Sequence, residues 1–423
     1  MRSRVVVTGI GLVTPLACGR VATWAAMVAG HSGIGRLTLP ELPGIDLLGG
    51  RVRDFVIRDY VTDMKAVKTM TRQTQLAAAA ARMACDDAGA TRLADGRRIG
   101  VYLGAGFEDT APDEIAPAIE ASLDAHGQFS IQIFGKSGYQ HLSPLFGIRK
   151  LPNMALSHVS IAHGVQGPNA LFSPSAASSA QAIAEGFEAV RSARVDVALV
   201  GGCDAKLDVA GYLRYGAMKL LSPSAHAQTA SRPFDPQRDG AVLGEGAAFL
   251  VLESDLHARA RSAIALAEIA GSGATFACPQ RDEDRAVRAL CTAMTQALEE
   301  AHVTVDTLDY IHANGASTQL HDEVEREAIH SLLRDRVNEV PVGASKASLG
   351  HLIAGAGAVD VALTICALKA QTVPPTRNSD AASSKLRLTS VAHRHPMRTA
   401  LVNVMGFEGT YACLALRQAP ALT

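Results

Sequence analysis

Residues 4–16 read Arg4-Val5-Val6-Val7-Thr8-Gly9-Ile10-Gly11-Leu12-Val13-Thr14-Pro15-Leu16. Two basic residues, Arg2 and Arg4, ahead of an apolar run have the outline of a signal peptide. Leu16-Ala17-Cys18-Gly19 even has the look of a lipoprotein cleavage site. The Val triplet followed by Gly, Thr and Pro fits a buried strand over 5–8 leading into a Gly-rich loop better. That choice makes the chain an α/β protein from its first element. Working outward, Ala-rich helices are expected over 70–89, 176–191, 284–301 and 355–368, with a charged one over 322–333. Gly89 suits a left-handed cap at the end of the first helix. Strands are expected over 99–103, 195–200, 247–252, 308–311, 340–342, 399–404 and 411–416. This alternation points to layered α/β structure with extensive parallel pairing. The helix over 176–191 is apolar nearly all round and so belongs between sheets. Two similar halves are expected to meet near Ser254, as residues 1–253 and 254–423.

Composition narrows the function classes. The 423 residues are 48% hydrophobic and 19% charged, which excludes disorder of the whole chain. Lys+Arg number 40 against Asp+Glu 41, for a net charge of -1, so no global field attracts nucleic acid or anionic lipid. Seven scattered Cys without a CxxC pair fit a reducing cytoplasm and no structural zinc. The longest apolar run, 352–366, is interrupted by Asp360, Gly355 and Gly357 and falls short of the ~18 residues of a membrane span. Gly9-x-Gly11 lacks the third Gly of a dinucleotide fingerprint, because Thr14 stands there. Gly135-Lys136-Ser137 has its preceding Gly at 127, too far back for a phosphate loop. His321-Asp322-Glu323 lacks the second His of a metal helix and reads as a solvated first helical turn. No cofactor and no metal are expected.

Several further segments carry a family signature in order. They are Pro152-Asn153-Met154, Gly167-Pro168-Asn169, Ser231-Arg232-Pro233-Phe234-Asp235, Arg238-Asp239-Gly240 and Gly244-Glu245-Gly246. Lys346-Ala347-Ser348-Leu349-Gly350-His351 follows, then Asn403 and Gly406-Phe407-Glu408-Gly409-Thr410-Tyr411. With 4–16, this set resembles the β-ketoacyl-acyl-carrier-protein synthases over essentially the whole chain. The resemblance implies the thiolase fold, two βαβαβαββ halves in five αβαβα layers, and an obligate dimer. In that family a Cys at the start of a buried helix accepts the acyl chain as a thioester. Two His stabilise the enolate formed when malonyl carrier protein loses CO₂. Two backbone N–H groups form the oxyanion hole.

The same resemblance places the departures. In Pro174-Ser175-Ala176-Ala177-Ser178-Ser179-Ala180-Gln181 the nucleophile position falls on Ala176, which has no nucleophile. Ser175, Ser178 and Ser179 lie nearby, but a neighbouring helical residue points about 100° away. His312-Ala313-Asn314-Gly315-Ala316-Ser317-Thr318 aligns with Asn-Ala-His-Gly-Thr-Ser-Thr, so Asn314 holds the first His position. His312 shares its strand face, displaced by roughly 6–7 Å. Asn314 can donate to a carbonyl but is no acid or base near neutral pH. His351 is the second His. Lys346 is a supporting charge with Glu325 as its expected partner, and Phe407 holds the oxyanion or gate position. Glu408 and Tyr411 are further departures.

Three functions fit these residues. One is a chain-length-factor-like subunit, paired with an active ketosynthase and shaping its acyl tunnel. A second is a ketosynthase in which Ala176 is an engineered replacement. The third is a malonyl-carrier-protein decarboxylase. The resemblance also implies an interface strand over 169–173 and interface or tunnel residues Leu145 and Phe146. Lys65, Lys68 and Arg72 are the expected basic docking residues for an acidic, phosphopantetheine-bearing acyl carrier protein. The partners are then an active ketosynthase or a second copy, and carrier protein. Nucleic acid and membrane are not expected.

Overall fold

The computed structural model describes residues 3–89, 94–379 and 384–419, so Arg2 lies outside the described residues. The first half supplies strands β1 (Val5–Val13), β2 (Ile99–Ala105), β3 (Asn169–Phe172), β4 (Val197–Ala205) and β5 (Leu243–Ser254). The second supplies β6 (Ala267–Phe276), β7 (Tyr310–His312), β8 (Val342–Gly343), β9 (Thr399–Met405) and β10 (Thr410–Gln418). Helices α1 (Arg72–Asp87), α2 (Met154–Ala162) and α3 (Ser178–Arg191) follow β1, β2 and β3. Helices α4 (Glu283–Glu300), α5 (Gln319–Leu333) and α6 (Ala356–Ala370) follow β6, β7 and β8. Each half is therefore βαβαβαββ.

The strands run β8-β7-β9-β10-β6-β1-β5-β4-β2-β3. In the first half β1–β5 and β5–β4 are antiparallel, and β4–β2 and β2–β3 parallel. The second half repeats this as β6–β10, β10–β9, β9–β7 and β7–β8. Val5–Val7 pair with Ala267–Ile269 and join the halves. Pairing is thus mixed in both halves rather than chiefly parallel. Apolar faces of α3 and α6 share one core with both sets of strands. Helices α1 and α2 cover the outer face of the first half, and α4 and α5 that of the second. This is the five-layer thiolase fold. The stretch Ile353–Ala370 is long and apolar enough to cross a membrane, but 89% of it is buried inside the molecule.

The opening stretch departs from the expected strand-then-loop. β1 continues to Val13, through both glycines. A Cβ on Gly9 would run into the Ala84 carbonyl, and one on Gly11 into that of Ala80. The glycines are there so that α1 can lie directly on the strand, not to make a turn. Thr71 caps α1 by accepting from the Thr74 amide, and Gly89 takes the expected left-handed conformation just after it, at φ 70°. The second half uses the same device: Cβ atoms on Gly271 and Gly273 of β6 would meet the carbonyls of Ala297 and Ala293 in α4. Even the tie between helix end and strand is repeated. Ile10 N donates to Asp87 Oδ2 at 3.0 Å, and Ser272 N to Glu300 Oε2 at 2.8 Å. Gly11→Ala should cost about 1–3 kcal/mol, since backbone must move to admit the methyl. Urea denaturation reads this directly, and an unchanged midpoint would contradict the close approach.

Candidate functional site

The loops after β3, β7, β8 and β9 converge at the N-terminal end of α3. Ala176 lies two residues before α3, which begins at Ser178 rather than at 176. It is 4% exposed and shares an apolar cluster with Leu207, Tyr215, Ile353 and Phe407. Phe407 sits in the tight connection from β9 to β10, where Gly406 N donates to Thr410 O and Gly409 takes φ 105°. Its ring lies 4.8 Å from that of His351, 5.1 Å from that of His321 and 6.2 Å from that of Tyr215. The amides of Ala176 and Phe407 donate no hydrogen bond to an acceptor among the described residues.

His351 is held from both sides. Its backbone N donates to Val242 O at 2.7 Å, and Gly244 N donates to His351 O at 2.9 Å, which fastens it to the start of β5. Its Nδ1 accepts from Ile353 N at 3.1 Å, so the proton of the neutral ring sits on Nε2. That Nε2 is buried without a partner among the described residues. Burial, reinforced by the Lys346 charge, pushes its pKa well below the usual value, so the ring is neutral. Asn314 is fixed by its Oδ1, which accepts from Met405 N at 3.2 Å. The side-chain amide nitrogen remains as a donor. The site thus offers two neutral donors suited to a carbonyl oxygen, and a methyl group at Ala176.

Behind these lies a buried charge network. Lys346 Nζ donates to Asn314 O at 2.5 Å and to Asp360 Oδ2 at 3.0 Å. Asp360 Oδ1 accepts from Ser345 Oγ at 2.5 Å and bonds His312 Nε2 at 3.2 Å. Burial alone would raise the Asp360 pKa; the Lys346 charge, helped by the hydrogen bonds from His312 and Ser345, outweighs it and holds the carboxyl below its usual range. The expected Lys346–Glu325 pair is therefore replaced by Lys346–Asp360. Glu325 instead accepts from the amides of Asn314 and Gly315 at 2.7 and 2.8 Å, and from Asn403 Nδ2 at 3.2 Å. Burial raises its pKa to about 7 despite those bonds. His312 does not approach the pocket: its ring is committed to Asp360 and to the Tyr310 hydroxyl, at 3.4 Å.

His321 and Asp322 are not a solvated turn; both are buried. His321 Nε2 lies 3.1 Å from Phe407 O and Nδ1 2.9 Å from Thr318 Oγ1. Burial lowers its pKa, so the neutral ring donates from Nε2. Asp322 accepts from Ser317 N and Phe234 N and shapes the turn after β7. Asp360, His321 and the Glu408–Ser175 hydrogen bond were not assigned to the site from sequence. The usable signal for Asp360 was a lone acid inside an apolar helix, which must find a cation when buried.

The remaining candidates lie elsewhere. Lys65 and Lys68 are exposed at and just after the short helix Met64–Val67. Arg72, partly exposed, is engaged within the chain. Its guanidinium donates to buried Glu245 at 2.7 Å and to Val52 O at 3.0 Å, and lies 5.0 Å over the Phe55 ring. Leu145 and Phe146 are not brought to Ala176; they lie on an outward-facing segment with exposed Ile148 and Leu151. β3 is an edge strand, paired to β2 alone among the described residues. No group of three His, Cys, Asp or Glu is placed to hold a metal among the described residues.

Residues 2–258 match the family model "Beta-ketoacyl synthase, N-terminal domain", and 266–380 match "Beta-ketoacyl synthase, C-terminal domain". The chain is 32% identical to 3-oxoacyl-[acyl-carrier-protein] synthase 2 of Rhizobium meliloti (strain 1021), over 98% of this chain and 99% of that one. A structure described as the ishigamide ketosynthase/chain length factor superposes with TM-score 0.85 and 27% identity, over 99% of this chain and 100% of that one. Another, a type II polyketide acyl-carrier protein in complex with its ketosynthase bound to the hexaketide, gives TM-score 0.81 and 26% identity. It is matched over 99% of this chain and 100% of that one.

Proposed function

The chain belongs to the beta-ketoacyl synthase family, and from that premise we propose that it is the chain-length-factor-like subunit of a heterodimeric type II ketosynthase. In this reading it pairs with a Cys-bearing ketosynthase in the cytoplasm, and the pair extends acyl chains carried by acyl carrier protein. Residues 1–253 and 254–423 are its two halves. The observation that carries the proposal is Ala176. A methyl group occupies the N-terminal end of the central helix, while the Lys346–Asp360 pair, His351 and Phe407 remain ordered around it. Without a nucleophile the covalent route is closed, and Asn314 adds a further loss, since an acid–base group typically contributes about 10²–10⁴ in rate. The edge strand β3 and the apolar surface of Leu145, Ile148 and Leu151 suit a partner of the same fold. The test is reconstitution with a Cys-bearing ketosynthase, carrier protein and malonyl groups. Product should form with the pair and not with this chain alone; product from this chain alone would sink the proposal.

One observation favours a second reading, malonyl-carrier-protein decarboxylase. The unpartnered Nε2 of His351 and the Asn314 amide are donors for a thioester carbonyl, and loss of CO₂ to an enolate needs no nucleophile. Release of CO₂ from malonyl carrier protein by this chain alone would select that reading.

Lys65 and Lys68 remain as the docking pair. Reversing both to Glu should slow carrier-protein association to the heterodimer by about tenfold at low salt and flatten its salt dependence. Equal rates and salt slopes in wild type and variant would show that this face is not used.

A further inference from the structure

Between Val361 and Phe407 the chain carries Lys369, Arg377, Lys385, Arg387, Arg394 and Arg398 but a single acid, Asp380, which lies outside the described residues. The overall charge of -1 hides this asymmetry. The fold gathers most of these cations on one face. Thr372–Val373 pair antiparallel with His393–Arg394 beyond the C-terminal end of α6. Lys369 stands in the last turn of that helix, and Arg394 Nη1 donates to Ala370 O at 3.1 Å. His395 N donates to Gln371 O at 3.0 Å. Burial, and then the Arg387 charge, lower the His395 pKa, which places Arg387 beside that ring. Arg398 N donates to Asp309 Oδ2 at 2.7 Å, just ahead of β9. Lys369, Arg387, Arg394 and Arg398 are all exposed. The acids beside them are occupied: Asp309 Oδ2 accepts from the amides of Arg398 and Thr399, and Glu339 pairs with Arg336 at 3.0 Å. Arg387 Nη1 donates to the Glu339 carbonyl, not to a carboxylate. Among the described residues these cations are thus left without an ion-pair partner. Val391, 71% exposed, lies in the loop between Arg387 and Arg394.

We propose that this face lies on the anionic surface of a membrane, with Lys369, Arg387, Arg394 and Arg398 on lipid phosphates and Val391 at the headgroup boundary. The expectation of no membrane contact rested on the net charge, and a local patch escapes it. Each Lys or Arg near an anionic bilayer strengthens partitioning by about fivefold. An apolar side chain among cations suits the boundary between headgroups and acyl chains. The position of the face argues against an acidic carrier protein as its occupant. β9 runs from Thr399, beside Arg398, toward Phe407, and α6 from Ala356, near Ile353, toward Lys369. Each element is about 20 Å long, so the basic face stands at the end of the molecule away from Ala176. A membrane bound there leaves the loops around Ala176 uncovered.

The experiment is co-sedimentation of the full chain with vesicles of phosphatidylcholine, alone or mixed with phosphatidylglycerol. The chain should bind the mixed vesicles, bind those of phosphatidylcholine far more weakly, and let go as salt is raised. Arg387→Glu with Arg394→Glu should weaken binding to the mixed vesicles by at least about 25-fold, the loss of two such contacts. Arg285→Glu with Arg288→Glu makes the same change of net charge on the exposed side of α4, and should bind as the wild type does. That pair separates a patch from a simple effect of total charge. If the first pair unfolds the chain, Lys369→Glu with Arg398→Glu decides. The exposed Leu145, Ile148 and Leu151 would take up both kinds of vesicle alike. Equal binding to both, no binding to the mixed vesicles at low salt, or undiminished binding by a folded variant of the face would overturn the proposal. No carrier protein or ketosynthase is present, so failure here leaves the paired-subunit reading standing.

Discussion

Incubated with an acyl carrier protein thioester, the wild-type chain should keep its unmodified mass, and the Ala176→Cys variant should gain one acyl group. The argument is local. Residue 176 lies at the N-terminal end of α3, where the helix dipole and free amides favour a thiolate. The amides of Ala176 and Phe407 have no acceptor among the described residues and suit the oxygen of a tetrahedral intermediate. The thiolate would attack the thioester carbonyl, and the carrier's phosphopantetheine thiol would leave. Condensation by that variant should still fall about 10²–10⁴ below an active ketosynthase, because Asn314 cannot move a proton. Intact-protein mass spectrometry reads the first effect as all or none. An acyl group on Ser175 or Ser178 of the wild type, or none on Ala176→Cys after prolonged incubation, would refute the assignment of position 176.

Asp360→Asn should destabilise the fold by about 3–5 kcal/mol, the cost of leaving a buried charge without its partner. Lys346 is 1% exposed, and in the variant it would face a neutral amide with His312 beside it. Chemical denaturation measures the loss, and a change under about 1 kcal/mol would mean that the network carries little of the stability. Replacing both members, as Lys346→Met with Asp360→Leu, should recover part of it, because no charge is then stranded. The pH dependence has a definite sign. The folded Asp360 pKa is depressed relative to the unfolded value of about 3.9. Its contribution is therefore whole above about pH 4 and fades as pH falls toward the folded value. Asp360→Asn should lose that acid-side slope.

Strand and helix alternation made the layered fold legible, because apolar runs and Ala-rich helices have distinct periods. The duplication was harder to read. Its signature, Gly9 and Gly11 matched by Gly271 and Gly273, serves helix-on-strand contact, and glycine pairs after Val triplets also suggest a turn. β6 gives no strand signal for the same reason, since Gly and Ala make up half of it. At the site, Ala176, Asn314, Lys346, His351 and Phe407 come from the resemblance to the family's motifs. It could not pair them: Lys346 had two acids within reach of its loops, and only the fold selects Asp360 over Glu325. Arg72 looked like a surface charge because its partner Glu245 is 173 residues away. His321 looked solvated because a helix start gives no sign that the Phe407 loop covers it. Long-range pairing of this kind is set by topology and leaves no local pattern.

The central claim is that this chain works as the unacylated member of a pair. Native mass spectrometry of the chain co-expressed with a Cys-bearing ketosynthase, after exposure to acyl carrier protein thioester, tests it in one spectrum. The account predicts a one-to-one complex carrying a single acyl group, located on the partner. A homodimer of this chain that excludes the ketosynthase, or an acyl group on this chain within the complex, would contradict it.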